Sequence, residues 1–270
     1  MLAQINQGSV VKAEVTCAND MPAFLARPDT RGPHPVLVLL HERYGLQDHQ
    51  RDLCIRFAAD GLIAIAPNLF FREPDLEAIA RAEARAEVSD EQVSGDVDAA
   101  LDYLAANVPG ADLSKVAVMG VCQTGRFPIA YSAMPGARIA AAVVFHGAAY
   151  KREWVLNAEK TIPYDELIAR SRVPVFGGFG EKDVLILLED VLRFRGSLEA
   201  ARRSYEIAIY RDAPHSWLND RIASWRQPQA EAAWQALLAF LERVNSGGFP
   251  ADRVQWSFTA DTAPGEGETS

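Results

Sequence analysis

Basic charge is scarce in this 270-residue chain, where 27 Lys and Arg face 36 Asp and Glu for a net charge of −9. Nucleic acid and anionic membranes are held by cationic faces, so this balance argues against both as partners. Cysteine is scarcer still, with three residues, Cys17, Cys54 and Cys122. An odd, small number in so long a chain argues against a disulfide framework and for reduced thiols in a cytoplasm. Long apolar runs are also missing: Val36–Leu40 and Ile139–Phe145 fall far short of the roughly 20 residues needed to span a bilayer. Met1–Val10 shows no basic start followed by an apolar run, so no secretory signal is expected. Gly and Pro, 18 and 15 residues, are too few for a collagenous or low-complexity chain. With 49% hydrophobic and 23% charged residues, the composition is that of a soluble globular protein long enough to bury a sizeable core.

Short apolar runs alternate with longer amphipathic ones. Val10–Thr16 and Met21–Ala26 read as a hairpin around Ala18-Asn19-Asp20. Val36–Leu40, Leu62–Ala66, Lys115–Gly120, Ile139–His146 and Val173–Phe179 have the continuous apolar character of strands buried on both faces. Tyr205–Tyr210 is a further strand. Helices are expected over Asp48–Asp60, with Gly61 as its stop, over most of Leu76–Val108 with a break near Ser89, from Cys122 to about Met134, and over Val184–Leu198 and Gln229–Val244. This alternation predicts an α/β fold, a mainly parallel sheet with helices on both faces and an antiparallel hairpin at its start. One domain is expected over residues 1–246. Gly247–Ser270 reads as an extension in which Arg253–Phe258 could form an extra strand or a surface strap, and Pro264–Ser270 should be disordered.

The chemistry concentrates at Lys115–Gly125, where an apolar strand reaches Gly120, Val121 and Cys122 and a helix follows at once. That is the pattern of a nucleophile elbow, a sharp turn that lifts a nucleophile above the sheet. A helix N-terminus lowers a thiol's pKa, and the Gln123 N–H would face a developing oxyanion. Thr124 stands where a small residue is usual. A thiol needs a base and the base an orienter. Among five histidines, His215 lies in the loop between the strand Tyr205–Tyr210 and the last helix, and Asp183 follows the strand before it, with Glu181 in reserve. Nucleophile, acid and histidine then occur in the chain order of an α/β-hydrolase. The loop after the first long strand, His41-Glu42-Arg43-Tyr44-Gly45, would supply a second oxyanion N–H from Arg43 and bring Glu42 near Cys122. Tyr44, Phe70, Phe71 and Trp217 lie in loops that should rim the site.

Together, Leu39–Gly45, Ala64–Phe70, Gly120–Gly125 and Ala213–Trp217 resemble the dienelactone hydrolase family over roughly residues 8–245. The resemblance implies a single α/β-hydrolase domain acting on esters or lactones without metal or organic cofactor. It further implies that Cys122, Asp183 and His215 form the catalytic set, with Glu42 deprotonating the cysteine when substrate arrives. Family members that open dienelactone hold its carboxylate with arginines, one of them four residues after the histidine; Asn219 occupies that position here, with Arg221 nearby. Arg43, Arg72, Arg126 and Arg221 are the candidate cations, and Tyr44, Arg72, Trp217 and Asn219 the candidate substrate contacts.

The chain therefore reads as a cytoplasmic, cysteine-dependent ester or lactone hydrolase, a monomer or homodimer whose partner is a small-molecule substrate. Two alternatives stand beside it: a noncatalytic binder on a hydrolase scaffold, and a thiol redox protein, for which neither Cys17 nor Cys54 is placed as a resolving thiol. His41, Asp48 and His49 offer no coherent metal-ligand set. Gly177-Gly178-Phe179-Gly180 lacks the spacing of a dinucleotide loop.

Overall fold

A computed structural model describes residues 9–263. The expected disorder of Pro264–Ser270, and most of the Met1–Val10 segment, lie outside those residues. The hairpin forms as read: β1 (Val10–Cys17) runs antiparallel to β2 (Met21–Pro28). β3 (His34–Leu40), β4 (Ile63–Pro67), β5 (Ala111–Val121), β6 (Ala141–Phe145), β7 (Val175–Gly180), β8 (Tyr205–Tyr210) and β9 (Trp256–Ala260) complete one nine-stranded sheet. The order is β1-β2-β4-β3-β5-β6-β7-β8-β9. From β4 to β9 every pairing is parallel. The extension thus supplies the edge strand β9, where Trp256 stacks on Tyr205 and donates from Nε1 to the Arg203 carbonyl.

Alternate side chains of each strand feed opposite faces of the sheet, the period-2 geometry of extended backbone. Leu37, Leu39, Ala117, Met119, Val143 and Phe145 pack against α1 (Asp48–Ala59) and α7 (Gln227–Asn245). Val36, Val38, Leu40, Val116 and Val118 pack against α2 (Leu76–Ala80), α3 (Asp90–Asn107) and α4 (Phe127–Ser132). Further along that second face, Ala142, Val144, Val175 and Ile207 meet α5 (Tyr164–Arg170) and α6 (Leu188–Ala200). Each fully buried Leu, Val or Phe contributes on the order of 1.5–3 kcal/mol, and both faces are supplied. No helix among the described residues is long and apolar enough to cross a membrane.

Three helical expectations change. The break expected near Ser89 within Leu76–Val108 is present but wider than read, because Ala82 takes φ +62° and residues 83–89 run irregularly until Ser89 caps α3. Val184–Leu187 is loop rather than helix: the Asp183 carboxylate accepts from the Leu185 and Ile186 N–H groups, and α6 begins only at Leu188. The stretch from Cys122 starts as a 3-10 turn, Cys122–Arg126, before α4 begins. α5 was not foreseen from the sequence; seven residues are too few to show a periodicity.

Candidate active site

The loops that leave the C-terminal ends of β3, β5, β6, β7 and β8 gather at one edge of the sheet, where open parallel sheets place their ligands. Each carries a polar side chain inward. The sharpest turn follows β5, where Cys122 adopts φ +55°, a left-handed conformation that costs a non-glycine residue on the order of 1–3 kcal/mol. Its neighbours are fitted to that turn. A Cβ at Gly120 would run into the Thr124 carbonyl, and one at Gly125 would sit 2.5 Å from the Gly147 Cα. Thr124, the departure from a small residue, has a structural reason: its hydroxyl accepts from the Val121 N–H at 3.0 Å and lies 3.2 Å from the Leu40 carbonyl. It thereby ties the turn to the end of β3.

Above the turn, the Cys122 sulfur lies 3.2 Å from His215 Nε2, and His215 Nδ1 lies 2.7 Å from Asp183 Oδ2. Thiol, imidazole and carboxylate are therefore aligned as a nucleophile, a base and an orienter must be. Asp183 serves two purposes at once, because its other oxygen accepts from Leu185 N at 2.8 Å and Ile186 N at 3.0 Å. Burial pushes the His215 imidazole toward its neutral form, but the hydrogen bonds and charges of Asp183 and Cys122 outweigh it and raise the pKa to about 10. Glu181, the reserve acid, faces elsewhere and accepts from the Asp212 and Ala263 N–H groups.

Glu42 is buried, but its hydrogen-bond partner is the Ser216 hydroxyl at 3.1 Å, and His146 Nε2 lies 3.5 Å away. Among the described residues no hydrogen bond joins Glu42 to Cys122; the thiol faces His215 instead. His41 holds this loop in place. Its Nε2 accepts from Leu69 N at 2.9 Å while Nδ1 donates to the Glu42 carbonyl at 2.8 Å, and burial lowers its pKa to about 4, keeping the ring neutral. The Arg43 N–H makes no hydrogen bond among the described residues. Gln123 is the second residue of the 3-10 turn that Cys122 opens, where leading N–H groups have no partner within the turn, so both backbone donors suit an oxyanion. The Gln123 side chain is spoken for, donating to the Ala86 carbonyl at 2.8 Å.

The candidate substrate contacts divide. Tyr44 and Asn219 line a cleft of about 410 Å³ together with Glu42, Ser216, Arg221 and Ile222. Arg72 is bound elsewhere, in a two-pronged ion pair with buried Asp96 at 2.9 and 2.7 Å. Trp217 is fully buried against Tyr210 and Phe145, a core side chain rather than a substrate contact. Arg126 is equally buried, holding Asp90 through two hydrogen bonds of 2.8 Å. Arg221 is paired with Asp52 and Asp48. The residue that sequence reasoning missed is Tyr150. Its hydroxyl lies 3.2 Å from His215 Nε2 and 3.5 Å from the Cys122 sulfur, and no motif around it gave notice. No group of three or more His, Cys, Asp or Glu side chains that could hold a metal occurs among the described residues.

The family model described as the dienelactone hydrolase family matches residues 21–245. The chain belongs to that family. It is 34% identical over 231 residues, covering 83% of either chain, to a protein of Escherichia coli that carries the name "putative carboxymethylenebutenolidase". A protein of the same name from Yersinia pestis is 32% identical over 243 residues, covering 86% of this chain and 87% of that one. Among solved structures, a "putative dienelactone hydrolase" from Klebsiella pneumoniae superposes with a TM-score of 0.77 at 29% identity, covering 87% of this chain and all of the other. A dienelactone hydrolase-like promiscuous phosphotriesterase from metagenomic libraries shares the fold, with a TM-score of 0.69 at 21% identity over 88% of this chain and 99% of the other.

Proposed function

We propose that this member of the family hydrolyses an ester or lactone through a covalent thioester on Cys122. The observation that carries the reading is the line from sulfur to imidazole to carboxylate, 3.2 Å and then 2.7 Å, at the tip of a strained turn. His215 takes the thiol proton, and Asp183 holds the resulting imidazolium in its orientation. The thiolate attacks the carbonyl carbon, and the backbone N–H groups of Arg43 and Gln123 receive the charge that develops on the carbonyl oxygen. The tetrahedral intermediate collapses as His215 returns the proton to the departing alkoxide, leaving the thioester. Water, deprotonated by the same imidazole, then attacks the thioester; the acid departs and the proton returns to the sulfur.

The names of the relatives support carbonyl-ester chemistry. The cleft lined by Glu42 and by Ser216, the residue after His215, lies next to the reacting groups, although Cys122 and His215 themselves do not line it. Within that cleft the position that would hold a substrate carboxylate is Asn219, and Arg221 is already neutralised by two aspartates. Of the candidate cations only Arg43, lying over the Tyr44 ring, is in no ion pair among the described residues, so an uncharged group suits the Asn219 position of this acidic protein better than an anionic one. Cys122→Ala tests the reading: hydrolysis of a small aryl ester should vanish while the folded spectrum is kept. Unchanged turnover in that variant would remove Cys122 from the chemistry.

A further inference from the structure

Among the described residues, the Tyr150 hydroxyl has two hydrogen-bond partners, and both are reacting groups: the Cys122 sulfur and His215 Nε2. A buried phenol needs a partner for its polar end. This one closes a triangle with sides of 3.2, 3.2 and 3.5 Å around the single proton that sulfur and imidazole exchange. We infer that Tyr150 is a catalytic residue that donates its O–H to the Cys122 thiolate and so helps set how readily that thiolate forms. The inference rests on the nucleophile reading above and adds to it the group that steadies the negative sulfur.

The placement is built into the fold. Tyr150 ends a turn, His146–Tyr150, in which His146 and Ala148 take φ +33° and +59°. The turn interlocks with the cysteine elbow: a Cβ on Gly147 would lie 2.6 Å from the Cys122 carbonyl oxygen. Strained non-glycine backbone on both turns is retained where the surrounding structure over-determines it, as happens at reacting sites. The far side of Tyr150 is anchored as well. The Glu153 N–H donates to the Tyr150 carbonyl at 2.9 Å, and Lys151 pairs with Glu189 at 2.7 Å. The Arg152 guanidinium lies over the phenol ring, 4.3 Å from its centroid, and draws electron density toward itself. That makes the O–H a stronger donor.

The proton balance is simple. Once His215 Nε2 has taken the thiol proton, the Tyr150 O–H, which burial and the neighbouring thiolate keep protonated, points at the sulfur. When the S–C bond forms, the sulfur loses its charge and the O–H is released to the departing oxygen as a hydrogen-bond donor; the proton itself comes from Nε2. Tyr150 gains and loses no proton. The charged or titratable groups facing the triangle are Asp183 after β7, His215 after β8, His146 and Arg152 on the Tyr150 segment, and Glu42 after β3 behind His146.

The test is the pH dependence of Cys122 alkylation by iodoacetamide, which reads the thiolate without requiring turnover. Tyr150→Phe should raise the midpoint by roughly one pH unit, the scale of one hydrogen bond to a charged group, and lower kcat/KM about tenfold. Should that variant fail to fold, 3-fluorotyrosine at position 150, nearly isosteric and a stronger donor, should move the midpoint downward. A midpoint that stays in place in either folded variant overturns the inference. Failure of the nucleophile reading appears separately, as retained hydrolysis in Cys122→Ala.

Discussion

Asp183→Asn isolates the contribution of the carboxylate with little change of shape. In the native loop one oxygen accepts the His215 Nδ1–H at 2.7 Å, and the other accepts the Leu185 and Ile186 N–H groups at 2.8 and 3.0 Å. Asparagine can keep the second pair of bonds through its carbonyl, so the loop should stay. Its NH2 group then faces Nδ1, which must become an acceptor, and the ring proton moves to Nε2, the atom 3.2 Å from the sulfur. The base is lost in that tautomer, and an imidazolium would have no carboxylate beside it. Removing one member of a buried charged pair costs about 3–5 kcal/mol. At about 1.4 kcal/mol per decade this predicts a loss of roughly two to four decades in kcat/KM. Initial rates on an aryl ester, with circular dichroism to confirm the fold, measure it. A folded variant that retains more than a tenth of native kcat/KM would refute the reasoning.

Three further outcomes follow from the same geometry. Arg126→Met strips buried Asp90 of both its hydrogen bonds, whereas Glu153 keeps Lys160 at 2.7 Å. The cost should be about 3–5 kcal/mol, or roughly 10 °C in Tm, and adding Asp90→Leu should recover part of it; a shift under about 2 °C would contradict the assignment. On the acid side, His41 has its pKa lowered to about 4, so the unfolded chain takes up a proton that the native ring refuses; its contribution to stability is full above about pH 6.5 and is lost as pH falls toward 4. On the alkaline side, His215 has its pKa raised to about 10, so its contribution is full below about pH 6.5 and is lost as pH climbs toward 10. Urea titrations across that range check both signs, and His41→Asn should flatten the acid limb while leaving the alkaline one.

The sheet was legible because its strands are continuous apolar runs with no alternative use. The nucleophile turn was legible because strand, Gly120, Cys122 and helix are adjacent in sequence. Asp183 and His215 could be placed because chain order and sheet order coincide from β5 to β8. What escaped depends on contacts between distant segments. Ala82–Val88 has the Ala, Arg and Glu content of a helix, yet it stays irregular, with the Ala86 carbonyl accepting from Gln123 across the site. Tertiary bonding here overrides a weak local preference. Arg72 and Trp217 sit in the right loops, but whether such a side chain points into the cleft or the core is settled by Asp96 and by Tyr210, which lie elsewhere in the chain. Tyr150 belongs to no local pattern; two interlocked turns bring it to the sulfur.

The most direct measurement is the mass of the protein caught during turnover. Acid quenching in the presence of a slowly deacylating aryl ester, followed by peptide mapping, should find one acyl group per chain, carried as a thioester on Cys122. Acylation of another residue, or continued turnover with Cys122 never modified, would contradict a covalent mechanism at this thiol.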